Sequence, residues 1–378
     1  MRLLASLALS VSLSAVAGSA AAQSGGIALE QLDPAPAGDA FFGVASPWVG
    51  GHLVPRAYAM FDYAVKPLAL RDASGGSVGS IVSGQAILRA DASLALWDRV
   101  LASVDVPFTV AQGGDNPTLG GLQVGSPSKA EMGDLRIGLR GRLFGDYRAP
   151  LQLGLGASLW VPSGPTSSYG AEGAVRGGPA LLLGGRASVF VWSATGGLVL
   201  RGSANPHPLT YGAAAGVVFG PDDMVQIGPE IYGATALSTG GSFLNSSTAS
   251  SLVSSSSTNL EVLVGAKLRL FKMLVAGLAG GPGVTHAPGT PVARVVAMVG
   301  YAPLPEPPRK PTDRDRDGVF DEADACPDVA GKASDDPKRN GCPPPDRDKD
   351  GVADAMDACP ARSSSRHWRA ASRTAAST

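Results

Sequence analysis

Short segments with alternating apolar and polar residues fill the middle of the chain. One side of an extended backbone at 135–144 carries Leu135, Ile137, Leu139 and Leu143, and the alternate positions carry arginine or glycine. The same period of two runs through 151–161 and 260–270 and through a shorter stretch at 104–110. Successive side chains of a strand point to opposite faces, so this period predicts β-strands.

Candidate strands recur at short intervals between clusters of Gly, Pro, Ser and Asn. They lie near 42–50, 54–66, 80–91, 93–110, 132–144, 150–161, 178–190, 191–202, 211–219, 223–236, 260–271, 272–281 and 291–301. Many have the roughly 9–11 residues that a tilted transmembrane strand needs. Bacterial barrels use even strand numbers. The pattern therefore predicts an all-β fold, a transmembrane antiparallel β-barrel over 41–301 with about twelve strands, ten and fourteen remaining open.

The polar faces of these strands hold Arg, Lys, Glu and Gly, as expected for a wall with a wet lumen and lipid outside. Aromatic residues near strand ends suit an interfacial girdle, namely Tyr58, Tyr63, Trp97, Phe144, Trp160, Trp192, Tyr232 and Tyr301. A soluble β-sandwich or lipocalin-like barrel is the alternative, since it alternates too but turns its apolar side inward. Strand length, the absence of helical patterns and a Ser-rich loop at 239–258 favour the membrane.

The segments around the barrel have their own compositions. Residues 1–22 combine a basic residue, an apolar run and a small-residue cleavage pattern, which predicts a secretory signal peptide. A membrane anchor is the alternative, but the run is too short. Polar residues 23–40 are expected to form a periplasmic leader. A proline-rich stretch at 302–312 predicts an extended linker, and residues 361–378 are expected to be disordered.

Charge narrows the range of functions. The net charge is −1 with 17% charged residues, so no basic excess points to nucleic acid. Cations fall on the predicted lumen face at Arg136, Arg140, Arg142, Lys267 and Arg269. They predict either an anion-selective lumen or, as we favour, salt bridges with residues such as Asp105 and Glu261. The four histidines are scattered, so a zinc cluster is not expected. The sequence carries no catalytic constellation, and we expect no enzymatic activity.

Two acidic blocks, 33 residues apart, carry the most specific pattern in the chain. Calcium takes six to eight oxygen ligands, and a glycine at position 6 of such a loop permits the sharp turn. Gly318 and Gly351 occupy that position. The expected ligands are Asp313, Asp315, Asp317, the Val319 carbonyl, Asp321 and Asp324, then Asp346, Asp348, Asp350, the Val352 carbonyl, Asp354 and Asp357. These carboxylates repel one another without a cation, so calcium should order the segment.

Other interpretations of the acidic blocks fit less well. A solvated acidic linker would not need glycine at the same place twice. Magnesium prefers few protein ligands and several waters. An EF-hand requires flanking helices and a glutamate at position 12. Here Pro311 precedes the first block, Cys-Pro follows each block, and position 12 is aspartate.

The two blocks, each followed by Cys-Pro and separated by Gly341-Cys342-Pro343, resemble thrombospondin type 3 repeats over 313–360. Such repeats follow the barrel in many outer-membrane proteins of the OmpA type. The barrel region is similar to myxobacterial members, at Phe41-Phe42-Gly43, Ala95-Leu96-Trp97-Asp98, Gly133-Asp134-Leu135-Arg136 and Val191-Trp192-Ser193-Ala194.

The resemblance implies a disulfide between Cys326 and Cys342, with Cys359 left over. It also implies a peptidoglycan-binding domain after the repeats, with cell-wall or envelope components as partners. The sequence departs from that pattern after Pro360 and apparently lacks such a domain, so a truncated or frameshifted reading frame is expected.

The sequence therefore predicts a structural barrel of the OmpA type in a Gram-negative outer membrane, with a calcium-ordered tail in the periplasm. Outer-membrane lipid and calcium are the expected partners. One alternative is a porin or transporter that passes small solutes through the lumen. The other is a soluble, secreted, calcium-dependent adhesion module.

Overall fold

The computed structural model describes residues 28–71, 77–119, 122–123, 125–146, 149–166, 169–202, 206–237, 258–304 and 312–361. The chain divides into two compact units, Met1–Pro305 and Glu306–Thr378. Among the residues described, no helix has the length and apolar character needed to cross a membrane. The predicted signal peptide, most of the linker and the tail beyond residue 361 lie outside the described residues.

The first unit is built from antiparallel strands. They are β1 (Val54–Arg71), β2 (Ser77–Leu96), β3 (Val100–Gly113), β4 (Thr118–Leu119), β5 (Leu122–Gln123), β6 (Glu131–Met132), β7 (Leu135–Phe144), β8 (Gln152–Val161), β9 (Arg176–Ala187), β10 (Phe190–Leu198), β11 (Pro208–Phe219), β12 (Val225–Ala236), β13 (Thr258–Leu270), β14 (Leu274–Pro282) and β15 (Ala293–Tyr301).

Twelve of these strands close into a barrel. Neighbours pair in the order β1-β2-β3-β7-β8-β9-β10-β11-β12-β13-β14-β15, and β15 returns to β1 through a register that joins Ala57 to Tyr301 and Val65 to Ala293. The short strands β4, β5 and β6 lie in the connection between β3 and β7. The predicted all-β fold with about twelve antiparallel strands is confirmed.

The barrel has two unlike ends. Short connections at 97–99, 188–189 and 271–273 share one end, which we call the turn mouth. Longer connections, such as 114–134 and 162–175, share the other end, the loop mouth. The first barrel strand begins and the last one ends at the turn mouth. The predicted Ser-rich loop near 239–258 falls almost entirely outside the described residues.

The two faces of the wall differ as the alternation predicts. Leu139, Val264 and Val299 point outward, with about 60% of each side chain exposed (58%, 58% and 63%). Asp62 and Arg294 point inward and are 0% and 1% exposed. An apolar outer face and a charged inner face are typical of a barrel that is surrounded by lipid and has a polar interior. They do not suit a soluble barrel with an apolar core.

Aromatic residues form a ring at the turn mouth. Six exposed side chains sit on its strand ends and hairpins, namely Trp97, Phe144, Phe190, Phe219, Phe271 and Tyr301. Such a ring is typical of the membrane interface. The expectation for Tyr58 and Tyr232 was wrong, because both lie at lumen-facing positions and are buried. Nearness to a strand end does not determine which face an aromatic residue takes.

Residues 28–50, here called the lumen segment, lie inside the barrel. The segment forms no strand, and most of its residues are buried. The strand expected near 42–50 was therefore wrong, and the first barrel strand begins at Val54. The described part of the leader, expected in the periplasm, is enclosed by the wall instead. Its acidic and aromatic side chains find partners on the lumen face, as described below.

The lumen segment spans the barrel from end to end. Near one end, the Leu29 backbone N–H donates to the Tyr169 carbonyl in the 162–175 connection of the loop mouth. At the other end, the Gly51 N–H donates to the Asp98 carboxylate in a turn-mouth hairpin, 2.7 Å away. The chain therefore runs from the loop mouth to the turn mouth and then turns back into β1.

The second unit is irregular, as predicted. Its backbone over 312–361 consists of turns and bends, with a single isolated bridge between Lys332 and Cys342 among the residues described there. Its order depends on side-chain hydrogen bonds and on the disulfide, because it has few apolar residues to bury.

Candidate functional site

One buried carboxylate holds the middle of the lumen segment. Glu230, on the lumen face of β12, accepts backbone N–H groups from Phe42, Gly43 and Val44 at 2.6, 2.8 and 3.2 Å. A carboxylate offers several lone-pair sites and can satisfy converging donors. These hydrogen bonds fix three successive peptide units against one strand.

Asp39 of the segment makes a two-pronged ion pair with Arg140 of β7. Its two carboxylate oxygens accept from the guanidinium at 2.6 Å each. The same guanidinium donates to the Trp48 carbonyl at 2.8 Å. Both side chains of the pair are buried, where paired geometry of this kind gives orientation as well as energy. Arg140 therefore joins two parts of the segment that are nine residues apart.

Near the loop mouth, arginines of the wall meet acidic residues of the segment. Arg294 of β15 contacts Glu30 at 2.9 Å and also pairs with Asp62 and Glu261. Arg136 of β7 pairs with Asp33 at 2.5 Å. The lumen cations thus find acids on the segment as well as on the strands.

Most remaining bonds from the wall reach backbone atoms of the segment. Asp91 accepts the Ala37 N–H at 2.7 Å, and Ser93 donates to the Ala37 carbonyl at 2.8 Å. Further wall donors reach segment carbonyls, namely Arg89 to Leu32, Arg136 to Pro34, Gln226 to Ala40, Lys267 to Asp39 and Phe41, and Ser193 to Ala45. The wall thus satisfies backbone groups along the segment, which itself turns at 36–39 and folds back so that the Ala35 N–H donates to the Phe42 carbonyl.

The Phe42 ring requires small residues on the wall. A Cβ added to Gly265 of β13 would lie 2.6 Å from ring atom Cε2, and one added to Gly277 of β14 would lie 2.9 Å from Cζ. Both distances are shorter than real Cβ contacts, so a larger residue at either lumen-facing position would displace the ring. Lys267 completes the seat, with its Nζ 4.6 Å from the ring centroid.

The predicted lumen cations take part in salt bridges and backbone bonds. Arg136 and Arg140 pair with acids of the segment, and Lys267 binds segment carbonyls. The other two predicted cations, Arg142 and Arg269, donate to backbone carbonyls near the turn mouth. Asp105 and Glu261 do form salt bridges, but with Arg89 and Arg294 rather than with the five cations singled out.

Space remains on both sides of the segment. A cavity of about 250 Å³ lies toward the loop mouth and is lined by wall residues such as Arg136, Arg176 and Tyr211. A second cavity of about 140 Å³ lies toward the turn mouth, with Lys267 and Met298 in its lining. The segment therefore crosses the lumen without filling it completely.

The two acidic loops of the second unit have the same geometry. One carboxylate oxygen from each of Asp313, Asp315 and Asp317 lies within 4.8 Å of the others, and the equivalent group is Asp346, Asp348 and Asp350. Gly318 and Gly351 have φ of 92° and 88°, a conformation that glycine adopts without steric cost. The structure thus brings predicted positions 1, 3 and 5 together in both loops.

Carboxylate oxygens without partners test whether a cation fits these loops. Buried oxygens with no hydrogen-bond donor include Asp313 Oδ1, Asp315 Oδ2 and Asp324 Oδ2 in the first loop, and Asp348 Oδ2 and Asp357 Oδ2 in the second. Such groups are costly unless something compensates them, and a hard divalent cation takes oxygen ligands of this kind. Positions 1, 3 and 12 of the first loop fit calcium.

The charges within the loops agree with that arrangement. Desolvation raises the pKa of Asp315, with the nearby charges of Asp317 and Asp324 adding to the effect. Desolvation likewise raises the pKa of Asp348, together with Asp350 and Asp357. Position 12 therefore faces position 3 in each loop closely enough to oppose its ionisation.

Asp321 and Asp354 are placed differently from the other predicted ligands. Asp321 accepts the Thr312 hydroxyl at 2.6 Å and the Arg314 N–H at 3.0 Å, and these hydrogen bonds lower its pKa. Asp354 accepts the Arg347 N–H at 2.8 Å. In this arrangement the carboxylate at the ninth position of each loop forms hydrogen bonds with the start of the same loop.

A disulfide closes the stretch after the first loop. Cys326 and Cys342 are bonded, with an S–S distance of 2.01 Å, whereas Cys359 is an exposed free thiol. Within the stretch, the Gly331 N–H donates to the second carboxylate oxygen of Asp317 at 2.9 Å. One oxygen of this predicted ligand is therefore used to fix the following turn.

Comparison with known protein families supports the prediction of thrombospondin type 3 repeats in the second unit. Residues 311–334 and 342–366 match the family model of the thrombospondin type 3 repeat. No curated protein sequence matches the chain.

Solved structures that resemble the chain include an outer membrane channel from Pseudomonas putida F1, at TM-score 0.48 and 13% identity, covering 68% of this chain and 97% of that one. LpxR from Salmonella typhimurium matches at TM-score 0.38 and 12% identity, covering 65% and 99%. The outer membrane phospholipase A from Escherichia coli matches at TM-score 0.32 and 8% identity, covering 67% and 98%.

The chain thus combines a closed twelve-stranded β-barrel of the outer-membrane type with thrombospondin type 3 repeats, which are calcium-binding repeats.

Proposed function

We propose that this protein is a structural barrel of the bacterial outer membrane, of the OmpA type, whose lumen is closed by its own lumen segment. The observation that carries the proposal is the placement of residues 28–50 across the whole barrel, from Leu29 at the loop mouth to Gly50 at the turn mouth. Buried ion pairs and backbone hydrogen bonds hold the segment at many points, which supports a resting barrel without an open path.

The same proposal assigns the repeats to the periplasm, where calcium would order them. The last barrel strand ends at Tyr301 in the turn mouth, and short turns of bacterial barrels face the periplasm. The metal would be held by Asp313, Asp315, Asp317 and Asp324 in the first loop, and by the equivalent residues of the second. Its charge would offset the repulsion among these carboxylates. Envelope components near the membrane are the expected partners, and the proposal includes no catalytic step.

A porin or transporter for small solutes is the second candidate. The cavity of about 250 Å³ beside the segment favours it, because arginines such as Arg136 and Arg176 line part of the lumen. Movement of the segment would join this cavity to the one near the turn mouth. The two candidates therefore differ in whether the full chain conducts.

Single-channel recording in a planar bilayer distinguishes them. The full chain should show no regular current steps, because the segment occupies the lumen. Asp39→Lys places a cation against Arg140 and near Lys267, so we expect it to loosen the segment and to produce intermittent steps. Glu322→Lys makes the same charge change at an exposed site of the repeats and should stay silent. Regular steps from the unaltered chain would favour the porin.

A further inference from the structure

We propose that the barrel lumen is a peptide-binding site that takes a peptide from solution, and that the lumen segment is its covalently attached occupant. The selected ligand is a peptide that makes a turn ending at an acidic residue, as residues 36–39 do, and that carries two aromatic residues two and three positions later. Asp39, Phe41 and Phe42 have this spacing. This inference rests on the proposed function only in that the same segment closes the barrel.

The wall recognises the segment largely through atoms that every peptide has. Glu230 and Asp91 accept backbone N–H groups, whereas Ser93, Gln226 and Lys267 donate to backbone carbonyls. These wall side chains belong to β2, β12 and β13, so they surround the peptide rather than line one side. Backbone recognition of this kind supplies affinity without requiring a particular sequence.

Two sites on the wall that contact side chains of the peptide supply the selectivity for its sequence. Arg140 meets the acidic residue with two hydrogen bonds of 2.6 Å inside the barrel, where an unmatched arginine would be costly. Gly265 and Gly277 leave a space that the Phe42 ring fills, and Phe41 lies in the same buried cluster. The Phe42 ring therefore depends on the absence of side chains at these two positions.

The occupant is separable from the wall at one place. Gly50 is the last buried residue of the segment, and His52 and Leu53 are exposed at the turn mouth before β1 begins. No strand hydrogen bond of β1 depends on residues before Val54. A cut after His52 therefore releases the covalent link while leaving the twelve-stranded wall intact. The cavities beside the segment give an entering chain room to exchange.

The test uses the folded full chain with a protease recognition site inserted between His52 and Leu53. After cleavage, a fluorescein-labelled peptide of residues 28–50 is added, and its anisotropy is measured while gel mobility without heating reports that the barrel is folded. We expect saturable uptake by the cut protein, competition by unlabelled peptide and no uptake by the uncut protein. Equal uptake by both forms would show adhesion outside the lumen and would overturn the proposal.

Matched peptides test the two sites. Asp39→Asn should bind about ten-fold more weakly, because Arg140 loses its ionic partner. Phe42→Ala should bind roughly a hundred-fold more weakly, since it leaves the space between the two glycines empty. A scrambled peptide of the same composition should not bind. Equal binding of all four peptides would overturn the selectivity, and with it the proposed ligand class.

A second variant covers the case in which the cut protein unfolds. Uncut full chain carrying Asp39→Asn holds its own segment less firmly, so the labelled peptide should enter this barrel and not the unaltered one. Absence of uptake by both the cut protein and this variant would overturn the proposal. Current through the unaltered chain tests the closed barrel separately, because it involves neither a cut nor an added peptide.

Discussion

At the scale of single residues, the lumen shows how one buried charge can organise a length of chain. Glu230 is satisfied by three peptide N–H groups, with Lys267 nearby. The peptide groups supply partial positive charge that an ion pair would otherwise supply. Removing the carboxylate affects the barrel and the segment together.

Glu230→Gln tests this dependence. The amide keeps the size of the side chain, but it offers one acceptor oxygen and turns an NH₂ group toward backbone donors. We expect the free energy of unfolding to fall by about 2 kcal/mol, in the range for hydrogen bonds to charged groups. Urea titration in lipid vesicles measures it. Glu322→Gln, at an exposed site of the repeats, is the control, and equal stability of both variants would contradict the assignment.

Gly351→Ala tests a backbone requirement in the second acidic loop. The residue has φ of 88°, and an added Cβ would meet no atom within 4 Å, so any effect comes from the backbone alone. The positive φ should cost about 1 kcal/mol, which weakens calcium binding about five-fold at this loop. Calorimetric titration of the full chain gives the affinity. Ala358→Gly, an exposed change nearby, should leave the affinity unaltered.

Single residues were predictable from sequence where a fixed spacing carried the chemistry. The repeated pattern predicted that Asp313 and Asp315 converge and that Gly318 makes the turn between ligands. The structure shows both. The partners of Arg136 and Arg140 were not predictable, because an alternating pattern assigns a face and says nothing about which acid lies opposite. A signal was present, however, because the leader carries Glu30, Asp33 and Asp39 and no basic residue that could pair with them locally.

At the scale of elements, alternation determines the strands because each face meets a different medium. β7 shows this most clearly, with Ile137, Leu139 and Leu143 outside and Arg136 and Arg140 inside. Strand number followed from the lengths and spacings of such segments. The one false strand, near 42–50, contains apolar residues but does not alternate over the length of a wall strand. Its Phe42 ring packs against glycines of the wall.

Depth along β7 gives a prediction at this scale. Leu139→Arg puts a charge at the middle of the outward face and should destabilise the barrel by about 2–4 kcal/mol, whereas Leu143→Arg, next to Phe144 in the aromatic ring, should cost about 0–1 kcal/mol. Guanidinium unfolding in vesicles measures both. The two leucines are similarly exposed (58% and 55%), so equal costs would mean that lipid does not cover this face.

At the scale of the whole molecule, two units use different sources of order. The barrel depends on a closed ladder of backbone hydrogen bonds, and the repeats depend on side chains that a cation can draw together. Their compositions made this division predictable, since charge is thin in one and dense in the other. The enclosure of residues 28–50 was not predictable in the same way, because a segment without a period carries no signal of what surrounds it.

Calcium removal should therefore affect one unit only. A ligand that binds the folded form at a hundred times its Kd adds about 2.7 kcal/mol of stability. We expect differential scanning calorimetry to show that the repeat transition moves to lower temperature in chelator, while the barrel transition stays in place. Asp315→Asn with Asp348→Asn should remove the difference between calcium and chelator. A barrel transition that follows calcium would contradict the division.

The seam between β1 and β15 has a consequence for assembly. It joins the first and last strands of the wall, and the segment it encloses immediately precedes the first strand. Because the segment is covalently joined to β1, it is already present when the final strand pairs, and the wall can close around it. We therefore expect the segment to be enclosed while the sheet forms, with the pairing of β15 against β1 as the closing step.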